Sequence, residues 1–502
     1  MPLQIILALP VDGRPVAREQ VQWLVQSAGW TLQVPDVSDL GRLRQPAERD
    51  QLASWLHDHQ AKASALVISI DSLVYGGLVP SRFIDDGGSE LLTRLDLLNE
   101  LKAAQPARPL YAFASTMRIS NNNVNEEEKL YWSDYGRLIW QWSFFSDRYA
   151  VHSDQADKAR ADAAAAGIPV RVQQDYQATR VRNFSINCKL LDAVANGVID
   201  RLILPQDDTA EYGFNIAERR ALQAQIESRG LTNKVLIYPG ADEVLHTLCA
   251  HVVATLRQDP PLKLWMSCSD PDHVEQLHAL YEDRPVLDSV RSQMSAVGAM
   301  LVKDPADADV ILGIHTQGNE QGDWATRKAL PQPVPPGQIE SWMKGLQTAV
   351  LRERPLAIAD LAYANGGDPQ LVECLCAQGR LQSLAGYAGW NTASNSLGSL
   401  LAQLVLARGE YMKTCNQRNV ALRLAEDWGY QSWRRQVLRD MLRTDPDSEL
   451  ALTSQQLVTL IHVTVVPALN DWFAVHRLAW RVRESYLPWD RTFEIGLRLE
   501  MA

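Results

Sequence analysis

Cysteine is scarce, with six residues (188, 249, 268, 374, 376 and 415) in a chain of 502. They form no disulfide framework, and Cys374-Leu-Cys376 lacks the two-residue spacer of a zinc or redox pair. Reduced thiols and a cytoplasmic protein are therefore expected. Long apolar runs are missing as well. Leu457 to Leu469 is interrupted by His462, Thr464 and Pro467, short of the ~20 residues a membrane helix needs, so no membrane partner is expected. The opening MPLQIILALPVDGRP has neither a positive n-region nor a small-residue cleavage site, so no signal peptide is expected. There is no Lys/Arg block, and 49 basic against 60 acidic residues leave a net charge of −11. Duplex binding depends on basic side chains neutralising phosphates, so a nucleic-acid partner is not expected. G-x-G-x-x-G, P-loop and G-x-S-x-G motifs are absent, which lowers dinucleotide, NTPase and α/β-hydrolase readings. None of the ten histidines forms a His-Glu-x-x-His zinc helix. No cofactor is called for.

What is present reads as an ordinary globular chain, 46% hydrophobic and 22% charged, large enough for roughly three domains at about 150 residues each. Short Val/Ile/Leu-rich runs alternate with helical patterns over the first 400 residues. Strands are expected at Leu3–Leu9, Ala65–Ile70, Leu110–Ala114, Arg201–Leu204, Lys234–Tyr238, Leu262–Met266, Val310–Ile314 and Leu356–Leu361, with a weaker ninth at Leu381–Tyr387. They lack clean alternation, as parallel strands covered on both faces do. The fold class is α/β. Eight strands suit a (β/α)8 barrel-like sheet, with residues 1–260 and 337–400 as the two parts of a catalytic domain. Residues 261–330, holding a helix around Asp288–Ala299, then read as an inserted small α/β segment. A doubly wound open sheet is the alternative. Pro331–Pro336 is the best linker candidate, and 401–502 reads as a helical domain closed by one strand near Arg491–Leu499.

In parallel α/β folds, functional residues collect at the carboxyl ends of strands. Those ends here carry Arg14, Asp71 before Gly76-Gly77, Arg82, Arg118, Asn121, Asp207-Asp208, Asp242-Glu243, His315, Asp360, Asn365, and Tyr387 with Trp390 and Asn391. Asp207-Asp208 is the sharpest feature. Adjacent carboxylates let one raise the other's pKa, giving an acid beside an anion, although either one also suits a helix N-cap. Asp242-Glu243 equally suits the charged start of a helix. His315 is a candidate base or metal ligand, or a satisfied structural histidine. Arg14, Arg82, Arg118, Arg180 and Arg182 would hold a carboxylate or phosphate if they converge; otherwise they pair with the neighbouring aspartates. Tyr387 to Asn395 suits a polyhydroxylated ligand, and equally a helix start at Thr392 or Ser394 with the tryptophan in the core. Tryptophan outnumbers phenylalanine fifteen to eight, but five of those Trp lie beyond residue 400, where a helical core accounts for them.

Arg14-Pro15, Ser69-Ile-Asp71 through Tyr75-Gly-Gly-Leu78, Ser81-Arg82, Asp207-Asp208 with Gly213, Pro239-Gly-Ala-Asp242-Glu243, and Tyr387-Ala-Gly-Trp390-Asn391-Thr392 resemble an uncharacterised bacterial domain-of-unknown-function family, number 4127. The resemblance runs to Leu487-Pro-Trp489 and Phe493-Glu494 and implies no activity. Over a smaller share of the chain, Ile199–Asp208, Lys234–Pro239 and Tyr387–Asn395 resemble the O-linked N-acetylglucosaminidase family of glycoside hydrolases. That likeness implies a barrel followed by a helical domain, and substrate-assisted retaining catalysis on a 2-acetamido sugar. Asp207 would orient the acetamido group, Asp208 would be the general acid and later the base, and Asn391 would bind substrate hydroxyls. The Arg-rich front loops and Asp71 with its Gly-Gly turn depart from that pattern and permit an acidic sugar instead.

The expected function is thus a glycosidase-type hydrolase on a small carbohydrate. One rival is a metal-dependent enzyme with Asp71, Asp207, Asp242 and His315 as ligands, favouring magnesium or manganese. A second is a non-catalytic sugar or anion binder.

Overall fold

The computed structural model describes residues 4–330, 335–346, 348, 351, 354–408, 412–442 and 453–502. Each apolar run expected to be a strand is one. The first six strands are β1 (Ile5–Leu9), β2 (Thr31–Gln33), β3 (Ala65–Ser69), β4 (Leu110–Phe113), β5 (Arg201–Gln206) and β6 (Val235–Pro239). They form one parallel sheet in the order β2-β1-β3-β4-β5-β6. All five residues of β3 are buried, which explains why its sequence carries no polar alternation. Leu7, Leu9, Leu66, Ile68 and Leu202 pack with helix residues Leu52, Leu98, Leu101, Ile186 and Leu190 in one core. Each such side chain contributes about 1.5–3 kcal/mol on burial.

Next in the chain come β7 (Lys263–Cys268), β8 (Met300–Leu301), β9 (Val310–His315), β10 (Gly322–Asp323), β11 (Leu356–Asp360), β12 (Tyr363–Ala364) and β13 (Leu384–Ala388). Five of them form a second parallel sheet, β13-β11-β9-β7-β8, while β10 pairs with β12. The last two strands, β14 (Trp480–Tyr486) and β15 (Gly496–Met501), pair antiparallel. A second core gathers Ile311, Ile358, Leu375 and Tyr387 with Leu424, Leu469, Phe473 and Leu497.

These pairings correct the barrel expectation. The expected strands do not close into an eight-stranded ring but divide between two open sheets. The physical reason lies in two edge strands too short to register as apolar runs: three-residue β2 and two-residue β8 each pair on the outer side of the first strand of their sheet. In both sheets the first strand is thereby flanked by the second on one side and the third on the other. That is the doubly wound order, in which ligands bind beyond the strand ends where the order reverses. Residues 261–330 do not form a separate insert either, because β7 and β9 are central to the second sheet.

The chain divides into two compact units. One runs up to Gly13 and includes Trp30–Leu245 and Tyr281–Asp283; the other comprises Arg14–Gly29, His246–Leu280 and Arg284–Ala502. The helical residues beyond 401 thus belong with the second sheet rather than standing apart. So does the helix Glu19–Ser27, an early excursion into the second unit: Gln20 Nε2 donates to Glu426 at 2.6 Å, and Arg498 Nε to Glu19 at 2.9 Å. Residues 331–334 of the proline-rich linker candidate lie outside the described residues, and Pro336 opens a helix to Gly345.

One stretch, Gln455–Val475, is long and apolar enough by composition to cross a membrane. It consists of two helices, Ser454–Thr464 and Val466–Val475, whose Leu457, Ile461, Leu469 and Phe473 enter the second core.

Candidate functional site

In the first unit, β3 runs straight into a wide helical turn, Asp71–Tyr75, that ends at Gly76. Gly76 has φ +82°, a conformation that favours glycine, and a Cβ there would lie 2.8 Å from Pro46 Cβ. Ser72 Oγ donates to Pro10 O at 2.6 Å, tying the end of β3 to that of β1 at the point where the strand order reverses. Asp71 is thereby buried beneath the strand ends, where its Oδ2 accepts the Ser115 backbone N–H at 3.0 Å. Burial pushes its pKa up to about 7; the Ser115 bonds and Arg82 oppose the rise and Asp207 adds to it.

Asp207 and Asp208 follow β5 and enter contrasting surroundings. Arg82, on the short helix Pro80–Arg82, places Nη2 2.6 Å from Asp207 Oδ2 and Nη1 3.0 Å from Glu127 Oε2. Arg118 reaches Asp208 Oδ2 at 2.8 Å and both Glu127 Oε2 and Glu128 Oε1 at 2.9 Å. The Asp207 side chain is 11% exposed and that of Asp208 31%. Asp208 also has φ +28°, strained for a residue with a side chain, and strain of this kind clusters at functional sites. Desolvation and the charge of Asp207 push the Asp208 carboxyl up to about 7 against the opposing pull of Arg118 and Arg82. A protonatable group half open to solvent thus sits beside a carboxylate pinned by an arginine.

The arginines do not converge on empty space. Arg82 and Arg118 are held by four carboxylates, Arg180 pairs with Glu218 at 2.6 Å, and Arg182 donates to the backbone oxygens of Ile84 and Ser81 at 2.5 and 2.9 Å. Arg82 and Arg118 follow the aspartate-pairing alternative, extended by Glu127 and Glu128, whereas Arg180 and Arg182 are held by a glutamate and by backbone oxygens. Asn121 is exposed. Asp242 and Glu243 are buried between β6 and the helix Val244–Arg257.

The remaining sequence candidates belong to the second unit. Arg14 is buried with its guanidinium 4.7 Å from the Trp489 ring centre and 3.7 Å from Glu494. His315, fully buried at the end of β9, shares Nδ1 with Ser269 Oγ at 3.0 Å and Nε2 with Asp368 Oδ2 at 2.8 Å. Burial alone would lower its pKa, but the Asp368 bond and the Asp360 charge outweigh it and the imidazole is raised. Asp360, at the end of β11, accepts Tyr387 Oη–H at 2.8 Å and the Asp368 N–H at 2.7 Å; burial raises it to about 6. Asn365 Nδ2 donates to Asp323 Oδ1 at 2.9 Å, and its backbone N–H to Asn391 O at 2.8 Å. Trp390 is core, and Thr392 caps the helix Ala393–Leu406, so the helix-start alternative describes this loop. Among the described residues, no group of three or more His, Cys, Asp or Glu is placed to hold a metal ion, and the ligand set suggested from sequence is divided between the units.

Sequence reasoning missed Glu127 and Glu128, whose signal was the acidic run Glu126–Glu128 opposite an Arg-rich loop. It also missed Asp427, which accepts the Gly389 N–H at 2.8 Å from the wide helical segment Leu424–Arg434. The family described as Protein of unknown function (DUF4127) matches residues 6–498. The chain belongs to this family. No curated protein and no solved structure matches it. Within DUF4127, then, this chain's own geometry has to carry any functional reading, and the Asp71–Asp207–Asp208 cluster is where it is richest.

Proposed function

We propose that the protein is an acid–base hydrolase of the glycosidase type, acting on an uncharged sugar or amino-sugar derivative. The observation that carries this reading is the pairing of Asp208, raised to about 7 and half exposed, with Asp207, pinned by Arg82. Carboxyls with divided surroundings supply an acid and an anion side by side. Asp208 would protonate the glycosidic oxygen as the C1–O bond breaks. On a 2-acetamido sugar, the acetamido oxygen would attack C1 while Asp207 orients that group. Water would then open the cyclic intermediate, giving its proton back to Asp208. This chemistry does not need a barrel, since a doubly wound sheet also gathers groups at its strand ends. Because Arg82 and Arg118 already face four carboxylates, a neutral substrate fits better than a uronate.

The test is hydrolysis of a panel of chromogenic glycosides, including 2-acetamido and uronic sugars, by wild type and Asp208→Asn, with and without chelator. The expected result is turnover of a neutral glycoside that is lost in the variant, is indifferent to chelator, and declines as pH rises above about 7. Activity abolished by chelator, or no turnover across the panel, overturns the proposal.

A further inference from the structure

The chain reaches the Asp207–Asp208 loop a second time from far along the sequence. Tyr281–Asp283 belongs to the first unit, although the residues on either side, Leu280 and Arg284, belong to the second. These three residues form the tip of a short hairpin. At its base His278 and Pro285 make an antiparallel bridge, and the Val286 N–H donates to Leu277 O at 2.8 Å. Just below the tip, the Leu280 N–H donates to Gln321 Oε1 at 2.8 Å. A closed base and a side-chain anchor thus fix the tip on its own stalk.

Two contacts seat the tip beside the proposed acid. The Thr209 N–H, one residue past Asp208, donates to Tyr281 O at 2.9 Å. Asp283, its side chain fully buried, pairs Oδ2 with Arg219 Nε at 3.0 Å. Arg219 lies on the helix Phe214–Ser228, into which the Asp208 loop runs. The tip therefore grips both the loop and the helix that follows it. Strain adjoins the first contact on both sides, since Tyr281 has φ +67° and Asp208 has φ +28°. A left-handed backbone at residues with side chains persists only where surrounding contacts over-determine it. Before Asp208, Arg82 pins Asp207; after it, Thr209 is held by Tyr281 O and by Asn215 Nδ2, 3.1 Å from its Oγ1.

We propose that the Tyr281–Asp283 tip governs this site: seated, it holds Asp208 in its strained setting against Arg118; withdrawn, it lets the loop relax and carries the acid out of place. Tyr281 and Asp283 are positioning residues, acting through Thr209 and Arg219 without touching substrate. The catalytic half of this inference rests on Asp208 being the acid, whereas the seating of the loop does not.

The test compares the full-length wild type with Asp283→Asn and Arg219→Gln, which break the seat, and with Arg219→Lys, which keeps a cation. Asp192→Asn is the control, because it breaks the exposed Asp192–Arg229 pair at the other end of the same helix. Hydrogen exchange over residues 207–213, read by mass spectrometry, is expected to quicken about tenfold or more in the two seat variants. It should match wild type in Asp192→Asn. On the glycoside that wild type turns over, kcat should fall about tenfold or more in the seat variants with KM little changed, and fall less in Arg219→Lys. The decline of rate with pH should move to lower pH, because a relaxed Asp208 regains solvent and approaches its ordinary value of 3.8. A role in stability alone would leave that limb in place. Should Asp283→Asn lack the wild-type circular dichroism, Arg219→Gln, at a partly exposed helix position, decides. Unchanged exchange over 207–213 in the folded seat variants overturns the proposal, and so does quickened exchange with the wild-type rate and pH limb. A wild type that hydrolyses no glycoside sinks the acid reading alone, and exchange then decides whether the tip seats the loop.

Discussion

Arg82 Nη2 stands 2.6 Å from Asp207 Oδ2, and the arginine is only 2% exposed. One guanidinium thereby serves Asp207 and Glu127 together in a desolvated setting, and removing it would leave both carboxylates without that cation. Arg82→Ala is expected to destabilise the protein by about 3–5 kcal/mol, measured as a lowered urea midpoint. Arg82→Lys should recover only part of the loss, since a single ammonium cannot reproduce a two-nitrogen fork. A loss below about 1 kcal/mol in the alanine variant would remove the case for this pair as a structural clamp.

Asp71 makes stability depend on pH. Its carboxyl, at 3.8 when unperturbed, is raised to about 7 in the fold, so the folded state holds the proton more tightly than the unfolded chain. The stabilisation is complete below about pH 3.8 and is lost as pH rises through about 7. It amounts to something on the order of 4 kcal/mol. Asp71→Asn keeps an acceptor for the Ser115 N–H and cannot ionise. Its stability relative to wild type should therefore climb between pH 4 and pH 8, and a flat difference across urea titrations at several pH values would contradict the assignment.

His315 carries the opposite charge with the same sign of linkage. The imidazole is raised above 6.5 through Asp368 and Asp360 against its burial, so its contribution is present below pH 6.5 and lost as pH rises through the folded value. Asp368→Asn weakens the hold on the proton. The His315 titration, followed by nuclear magnetic resonance, should move down, and an unmoved titration would assign the rise to Asp360 alone.

The strands were legible because parallel strands buried on both faces are short, continuous apolar runs; β3 is the plainest case. Helix starts such as Thr392 were legible from side-chain chemistry. Closure was not. Whether a sheet ends or curls into a ring was decided by β2 and β8, whose few residues carry almost no hydrophobic signal. The loops showed which residues lie at strand ends, and Asp71, Asp207 and Arg82 do come together. What the loops withheld was which charges meet. Glu127 and Glu128 are far from Asp208 in sequence, and only the fold shows that they occupy the arginines expected to greet an anion. Asp427 was hidden differently: it reaches Gly389 from a helical stretch whose wide winding no residue pattern announces.

The excursion of Glu19–Ser27 into the second unit has a consequence for synthesis on the ribosome. Glu19 emerges long before Tyr486 and Arg498, which it meets across separations of 467 and 479 positions. At elongation rates of about 5–20 residues per second, the helix waits roughly 25–95 s for those partners. The six-stranded sheet can assemble meanwhile, with this segment looped out of it. A nascent chain stalled before its last strand would carry the apolar face of that helix, with Val21, Leu24 and Val25, as an unsatisfied surface for chaperones or proteases to read.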